Sequence, residues 1–361
     1  MRARALLAGA TLLTLSCGQV AISTVHSPYP SASSSRVAGA SPGAGPSPQA
    51  PHYGLLLSAG TLEVIRPDGG VAASATVAAP SFQSCGQGVG AVLQPPVSAT
   101  SDEVFFRDGD THIRYLSPDG RTGDATTVPG GATTISFFSV SPDDQRIAVV
   151  VEDMSAASAI GLRLYVEDLH GRGHHVDIYR ASVPEGKGAT TLWPMGWRQG
   201  RLVMAVWAAC TFEQVPYPQE WHVVDAATGA RQATIGNVGC VPSIWPSAAG
   251  VACVDSTQAR IYDWTGKLKA MVATQVGQAE LSPSGQRLAA AGSGGMGDPS
   301  PATTAFSVDG SSSVTTPGHM ACLWIDEDHL LAPDAVITLP SGAATPLDAS
   351  GVCAGRFPGG L

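Results

Sequence analysis

Six stretches of this sequence carry residue types that could do chemistry, and their context decides against each. Gly39-Ala-Ser-Pro-Gly43 has the spacing of a serine nucleophile elbow, which must sit on a sharp strand-to-helix turn, yet its flanks are almost wholly Ser, Pro, Ala and Gly. Gly292-Ser-Gly-Gly-Met-Gly297 has the spacing of a dinucleotide fingerprint, but Asp298-Pro-Ser-Pro301 follows and cannot open the helix that would cradle pyrophosphate. Gly86-Gln-Gly-Val-Gly90 is read as a crowded inner-strand approach and not as a phosphate loop. His174-His175 sends adjacent side chains to opposite faces of a strand, so the two cannot readily share an ion. The acidic groups Asp108-Gly-Asp110 and Asp326-Glu-Asp328 do not continue as calcium loops and are read as solvated turns. No catalytic set, metal site or cofactor is expected.

The seven cysteines are more informative. Arg2 and Arg4 precede an apolar run, Ala5 to Leu15, too short to span a bilayer, and Leu13-Thr-Leu-Ser-Cys17 follows. This pattern resembles a bacterial lipoprotein signal. Residues 1 to 16 would be cleaved, and Cys17 would be acylated as the new N-terminus. Cys85, Cys210, Cys240, Cys253, Cys322 and Cys353 remain, an even six in an exported chain, which suggests three disulfides.

Residues 17 to 52 are rich in Ser, Pro, Ala and Gly, with no acidic residue before Glu63. Such a segment cannot bury enough apolar surface to fold and reads as a disordered tether, with a reach of roughly 30 Å. The chain carries a formal charge of −9, from 20 Lys and Arg against 29 Asp and Glu; losing Arg2 and Arg4 with the signal makes it −11. An acidic domain has no electrostatic footprint for nucleic acid and no attraction to an anionic membrane. Contact with the membrane is therefore expected through the lipid alone.

The elements that must position any site emerge from two repeats. Ser141-Pro-Asp-Asp-Gln-Arg-Ile-Ala-Val-Val150 recurs as Ser282-Pro-Ser-Gly-Gln-Arg-Leu-Ala-Ala-Ala291, 141 residues later, or three times 47. A second pattern, an apolar strand end with a polar turn closing on Gly, ends at Gly69, Gly120, Gly171, Gly229, Gly266, Gly310 and Gly342. Gly suits a hairpin turn because it adopts positive φ without steric cost. Between these outer hairpins lie inner ones, including Ile135 to Val151, Leu192 to Val206, Ile244 to Val254, Ala279 to Ala291 and Leu323 to Ala332. Each repeat then holds four strands, lettered A to D from the axis outward, the size of a propeller blade. Residues 53 to 77 supply only B, C and D strands. Ser350 to Phe357 is left to supply strand A and close the ring.

On these motifs, residues 53 to 361 resemble a seven-bladed all-β propeller of the broad TolB-like and WD40-like group. The inner corner S-P-D-G-x-x-[IL]-A carries the match, and no Trp-Asp dipeptide of true WD40 repeats is present. The resemblance implies a fold and a binding role and names no substrate. The expected function is a monomeric, lipid-anchored, non-enzymatic platform for a protein, peptide or glycan at the outer face of the cytoplasmic membrane. The alternatives are an exported lyase or hydrolase working in the central channel, and a TolB-like envelope assembly factor.

Strand direction places the sites. The D-to-A connections and B-to-C loops share one face, here called the loop face; the A-to-B and C-to-D turns share the other, the turn face. All six disulfide cysteines fall at the loop face, with Cys240–Cys253 expected directly opposed across an A/B hairpin turning at Pro246-Ser247. Cys322–Cys353 should tie the last blade to the returning strand, and Cys85–Cys210 follows by elimination. The loop-face segment from Cys210 to Trp221 supplies the expected ligand contacts: Phe212, Glu213, Tyr217, Glu220 and Trp221. Loop packing is the competing role for Trp221.

Overall fold

The computed structural model describes residues 51–81, 96–156, 158–184, 190–208, 218–236, 240–255, 257–274, 277–293 and 300–361. They form seven antiparallel four-stranded sheets in a ring, with no helix among them. Blade 1 is built from both chain ends: strand A is Val352–Phe357, and B, C and D are Tyr53–Ser58, Thr61–Ile65 and Val71–Thr76. Leu56 lies opposite Cys353, and Tyr53 opposite Phe357. The ring is thus closed by hydrogen bonds within a blade, which pairs the two chain ends and leaves each blade only short edges.

The repeated corner has a local cause. In blade 3, strand A (Thr134–Val140) turns into strand B (Arg146–Asp153) at Ser141, whose hydroxyl accepts from the Arg146 N–H (2.9 Å) and donates to the Asp143 carboxylate (2.6 Å). In blade 6, strand A (Gln278–Leu281) turns into B (Arg287–Ser293) at Ser282, whose hydroxyl accepts from the Arg287 N–H (3.1 Å). Both turns end left-handed, at Asp144 (φ 55°) and Gly285 (φ 75°). Gly takes that conformation without cost; Asp tolerates it better than most residues.

Hydrophobic packing runs between blades. Among the described residues each of the seven boundaries has its own core, from Val64 with Phe106 between blades 1 and 2, round to Leu331 with Leu56 between blades 7 and 1. Adjacent residues on inner strands serve opposite cores: Phe105 packs toward blade 3 and Phe106 toward blade 1. Period-2 alternation therefore vanishes, and unbroken apolar runs such as Ile147–Val151 are buried throughout. Tryptophans fill the same gaps. Trp197 donates from its indole N–H to Ser139 of blade 3, and Trp324 to Glu280 of blade 6.

Candidate functional site

Two of the three expected cystine pairs lie among the described residues. Cys240 and Cys253 have Cα atoms 5.4 Å apart and Cys322 and Cys353 6.3 Å apart, both disulfide-bonded. The register corrects one detail. Pro242, not Cys240, lies opposite Cys253, because the reversal is made by Ser247 to Gly250 and not at Pro246-Ser247. A Cβ at Gly250 would sit 1.9 Å from the carbonyl oxygen of Tyr262, which fixes the turn at a glycine. The bridge is therefore diagonal. Cys322–Cys353 joins the segment leading into blade 7 strand A (Leu323–Trp324) to the strand that closes blade 1. Cys17, Cys85 and Cys210 lie outside the described residues.

Of the expected ligand contacts, Phe212, Glu213 and Tyr217 also lie outside the described residues. Glu220 opens strand C of blade 4 (Glu220–Asp225), half-buried, with Oε2 2.9 Å from His222 Nε2. Trp221 is a correction: its ring is fully buried in the core between blades 4 and 5, edge-on to Trp264, and its indole N–H donates to the Ser243 carbonyl (3.3 Å). It has no surface to offer a partner. Packing is its role.

Residues not singled out from the sequence gather instead near the axis at the loop-face ends of blades 3 and 4. Phe137, on strand A of blade 3, stacks on Trp193 (centroids 4.3 Å), on strand A of blade 4 (Thr190–Arg198). Trp193 in turn contacts Trp207 (4.5 Å), on strand B (Arg201–Ala208). Beside them Glu152 is 3% exposed and accepts a short hydrogen bond from the Thr191 hydroxyl. Burial pushes the Glu152 carboxyl up to about 7, with the Thr191 bond pulling the other way. Trp193 keeps part of its ring exposed, while Trp207 is buried with no partner for its N–H among the described residues. Glu152 escapes a sequence reading because it ends an apolar run and sits one residue beyond the hairpin expected to finish at Val151.

Deeper along the axis, a cavity of about 40 Å³ is bounded by Trp245, Glu280, Trp324, Gly355 and Arg356, among others. The Glu280 carboxylate accepts from the backbone N–H groups of Ile244 (3.0 Å) and Trp245 (3.2 Å), and burial pushes it up to about 8. Burial lowers the Arg356 guanidinium, partly offset by Glu327. A space this size admits about one water. Beyond it, the chain end runs along the turn face: the Gly359 N–H donates to Thr100 of blade 2 (2.6 Å) and the Leu361 N–H to Trp197 of blade 4 (3.3 Å). No group of three metal-ligating side chains occurs among the described residues, where Asp108 and Asp110 accept from the Ala78 and Ser81 N–H groups of the segment leaving blade 1 and Asp326 lies 2.9 Å from His329 Nδ1.

No family model matches the sequence, and no curated protein matches it. Solved structures of similar fold do. An oligogalacturonate lyase in complex with manganese aligns over 70% of this chain and 69% of its own, at 10% identity and TM-score 0.44. An oligogalacturonate lyase from Vibrio parahaemolyticus aligns over 66% and 72%, at 10% identity and TM-score 0.45. BamB from Moraxella catarrhalis aligns over 85% of each chain, at 11% identity and TM-score 0.39. Likeness at this level concerns the propeller fold alone.

Proposed function

We propose that this protein is a lipid-anchored binding propeller, held at the outer face of the cytoplasmic membrane through Cys17, that engages a protein, peptide or glycan at its loop face without transforming it. The observation that carries the reading is the Phe137, Trp193 and Trp207 group with Glu152 at the loop-face end of the inner strands. Phe137, Trp207, Glu152 and Thr191 are themselves buried, so the surface on offer is the part-exposed ring of Trp193 that they hold in place, and a fixed aromatic face suits a partner with apolar surface. The disulfides at the same face stiffen the strand ends from which its loops spring.

The axial groups suit an enzyme less well. Glu280 and Arg356 are perturbed, as acid–base groups often are. Yet Glu280 is engaged by two backbone N–H groups of the neighbouring blade, and the cavity beside it leaves no room for a substrate. Glu280 acts there as an interblade tie.

In-cell crosslinking, affinity capture and mass spectrometry test the proposal. Wild type should give a discrete covalent partner and carry an acyl label, and Cys17→Ala should lose the label, membrane association and most of the crosslinked product. Unlabelled wild-type protein would refute the anchor. Turnover of a captured partner or glycan would refute the non-enzymatic reading.

A further inference from the structure

A second site lies well away from the axis, between the outer strands of blades 2 and 3. There an open cleft of about 680 Å³ is walled by Thr127 and Pro129 on one side and by Arg163, Glu167, Arg172 and His175 on the other. Its size is that of a small-molecule pocket. The blade 3 wall is built in layers. The His175 ring stacks on Tyr165 (4.6 Å), and the Arg163 guanidinium also lies over Tyr165 (5.0 Å). His175 Nδ1 is 2.7 Å from Glu167, a nearly buried carboxylate that can only accept, so Nδ1 carries hydrogen. Its Nε2 can then accept from Arg163 Nη2 at 2.8 Å. Arg163 Nε donates to Asp177 (2.6 Å), which is shared with Arg180.

Two guanidinium groups line this cleft with one carboxylate, Glu167, while Asp177 beside them pairs with Arg163, on a chain whose net charge is −9. Arg172 is the unbalanced one. It donates once, to the Thr127 carbonyl (2.7 Å) across the blade boundary, and has no carboxylate within ion-pair distance among the described residues. Its backbone is left-handed (φ 53°), a conformation unfavourable for Arg, as is that of His174 (φ 47°), a residue type that tolerates it better. The turn from Asp168 to Gly173 thus presents a cation where Gly would be easier to accommodate.

We propose that this cleft binds a small organic anion, its carboxylate or phosphate oxygens held between Arg163 and Arg172 and its apolar part against Pro129 and the Tyr165–His175 stack. Guanidinium groups suit both oxyanions through paired N–H donors. The site is independent of the loop-face reading and could stand if that reading fell.

Calorimetric titration of the full folded domain with phenyl phosphate, benzoate, inorganic phosphate and neutral benzyl alcohol tests the proposal and separates the two oxyanion sources. Saturable binding of phenyl phosphate or benzoate, tighter than that of inorganic phosphate, is expected, with none for benzyl alcohol. Arg172→Gly keeps the left-handed turn and should weaken binding about tenfold or more. Arg172→Lys should retain part of the affinity, and Arg121→Gln, in a turn outside the cleft, should change nothing. No saturable anion binding up to about 10 mM, equal binding of the neutral alcohol, equal binding of inorganic phosphate, or an Arg172→Gly variant matching wild type would each overturn it.

Discussion

Glu152 and Glu280 each stand where a strand is otherwise apolar, and each keeps its proton to a pH at which an unfolded glutamate has long lost it. Between pH 4.5 and about 7 for Glu152, and about 8 for Glu280, the folded state binds protons that the unfolded chain has released. Stability must fall as pH rises through that window. The combined effect is on the order of a few kcal/mol. Carboxylates held low by hydrogen bonds, such as Asp255 at about 2, act in the opposite sense and only in more acid solution. Urea unfolding at pH 5, 6.5 and 8 should show declining stability, and Glu152→Gln, which can still accept from Thr191, should flatten the decline up to pH 7. Stability that rises from pH 5 to 8 would contradict the assignment.

Trp221 makes the complementary point. Its neighbours, Pro218, Gln219 and Glu220, read as a loop, so the residue read as a surface anchor, but its ring faces a core assembled from another blade. Trp221→Ala should cost about 3 to 5 kcal/mol by the large-to-small rule, read as a lowered unfolding midpoint. A variant as stable as wild type would return the ring to the surface.

At the scale of elements, much was legible because hairpins are local. Polar corners, Gly turns and a cysteine on each arm of one hairpin located the strands and paired Cys240 with Cys253. The direct opposition expected for that pair was not legible, since Ser247–Gly250 competes with Pro246-Ser247 for the turn and only the Gly250 contact with Tyr262 decides. The cleft between blades 2 and 3 was invisible for a different reason. Thr127 and Arg172 are 45 residues apart and meet only once two blades pack. In the chain-entropy account the two bridges, spanning 13 and 31 residues, contribute about 3 and about 4 kcal/mol. Reduction should therefore lower the melting temperature. If the second bridge holds the ring closed, hydrogen exchange should rise first in Val352–Phe357; unchanged exchange there would show that strand pairing alone secures the closure.

For the molecule as a whole, seven blades were countable because each repeats the same turn chemistry, and closure followed from three strands at one end and one at the other. Which face works was an inference from strand direction, and the structure adds an asymmetry along the axis. Residues 359 to 361 lie across the turn-face ends of inner strands in blades 2 and 4, whereas the aromatic group and both described disulfides lie toward the loop face.

Site-specific photocrosslinking in cells distinguishes a partner bound at the loop face from one bound at the turn face. A photoreactive side chain would be placed at Asp153, Ser155 or Thr190 on the loop face, and at Asp119, Ser284 or Asp309 on the turn face. A discrete adduct is expected from the loop-face positions and none from the turn-face set. Adducts from the turn-face positions alone, or none from either set, would contradict binding at the loop face.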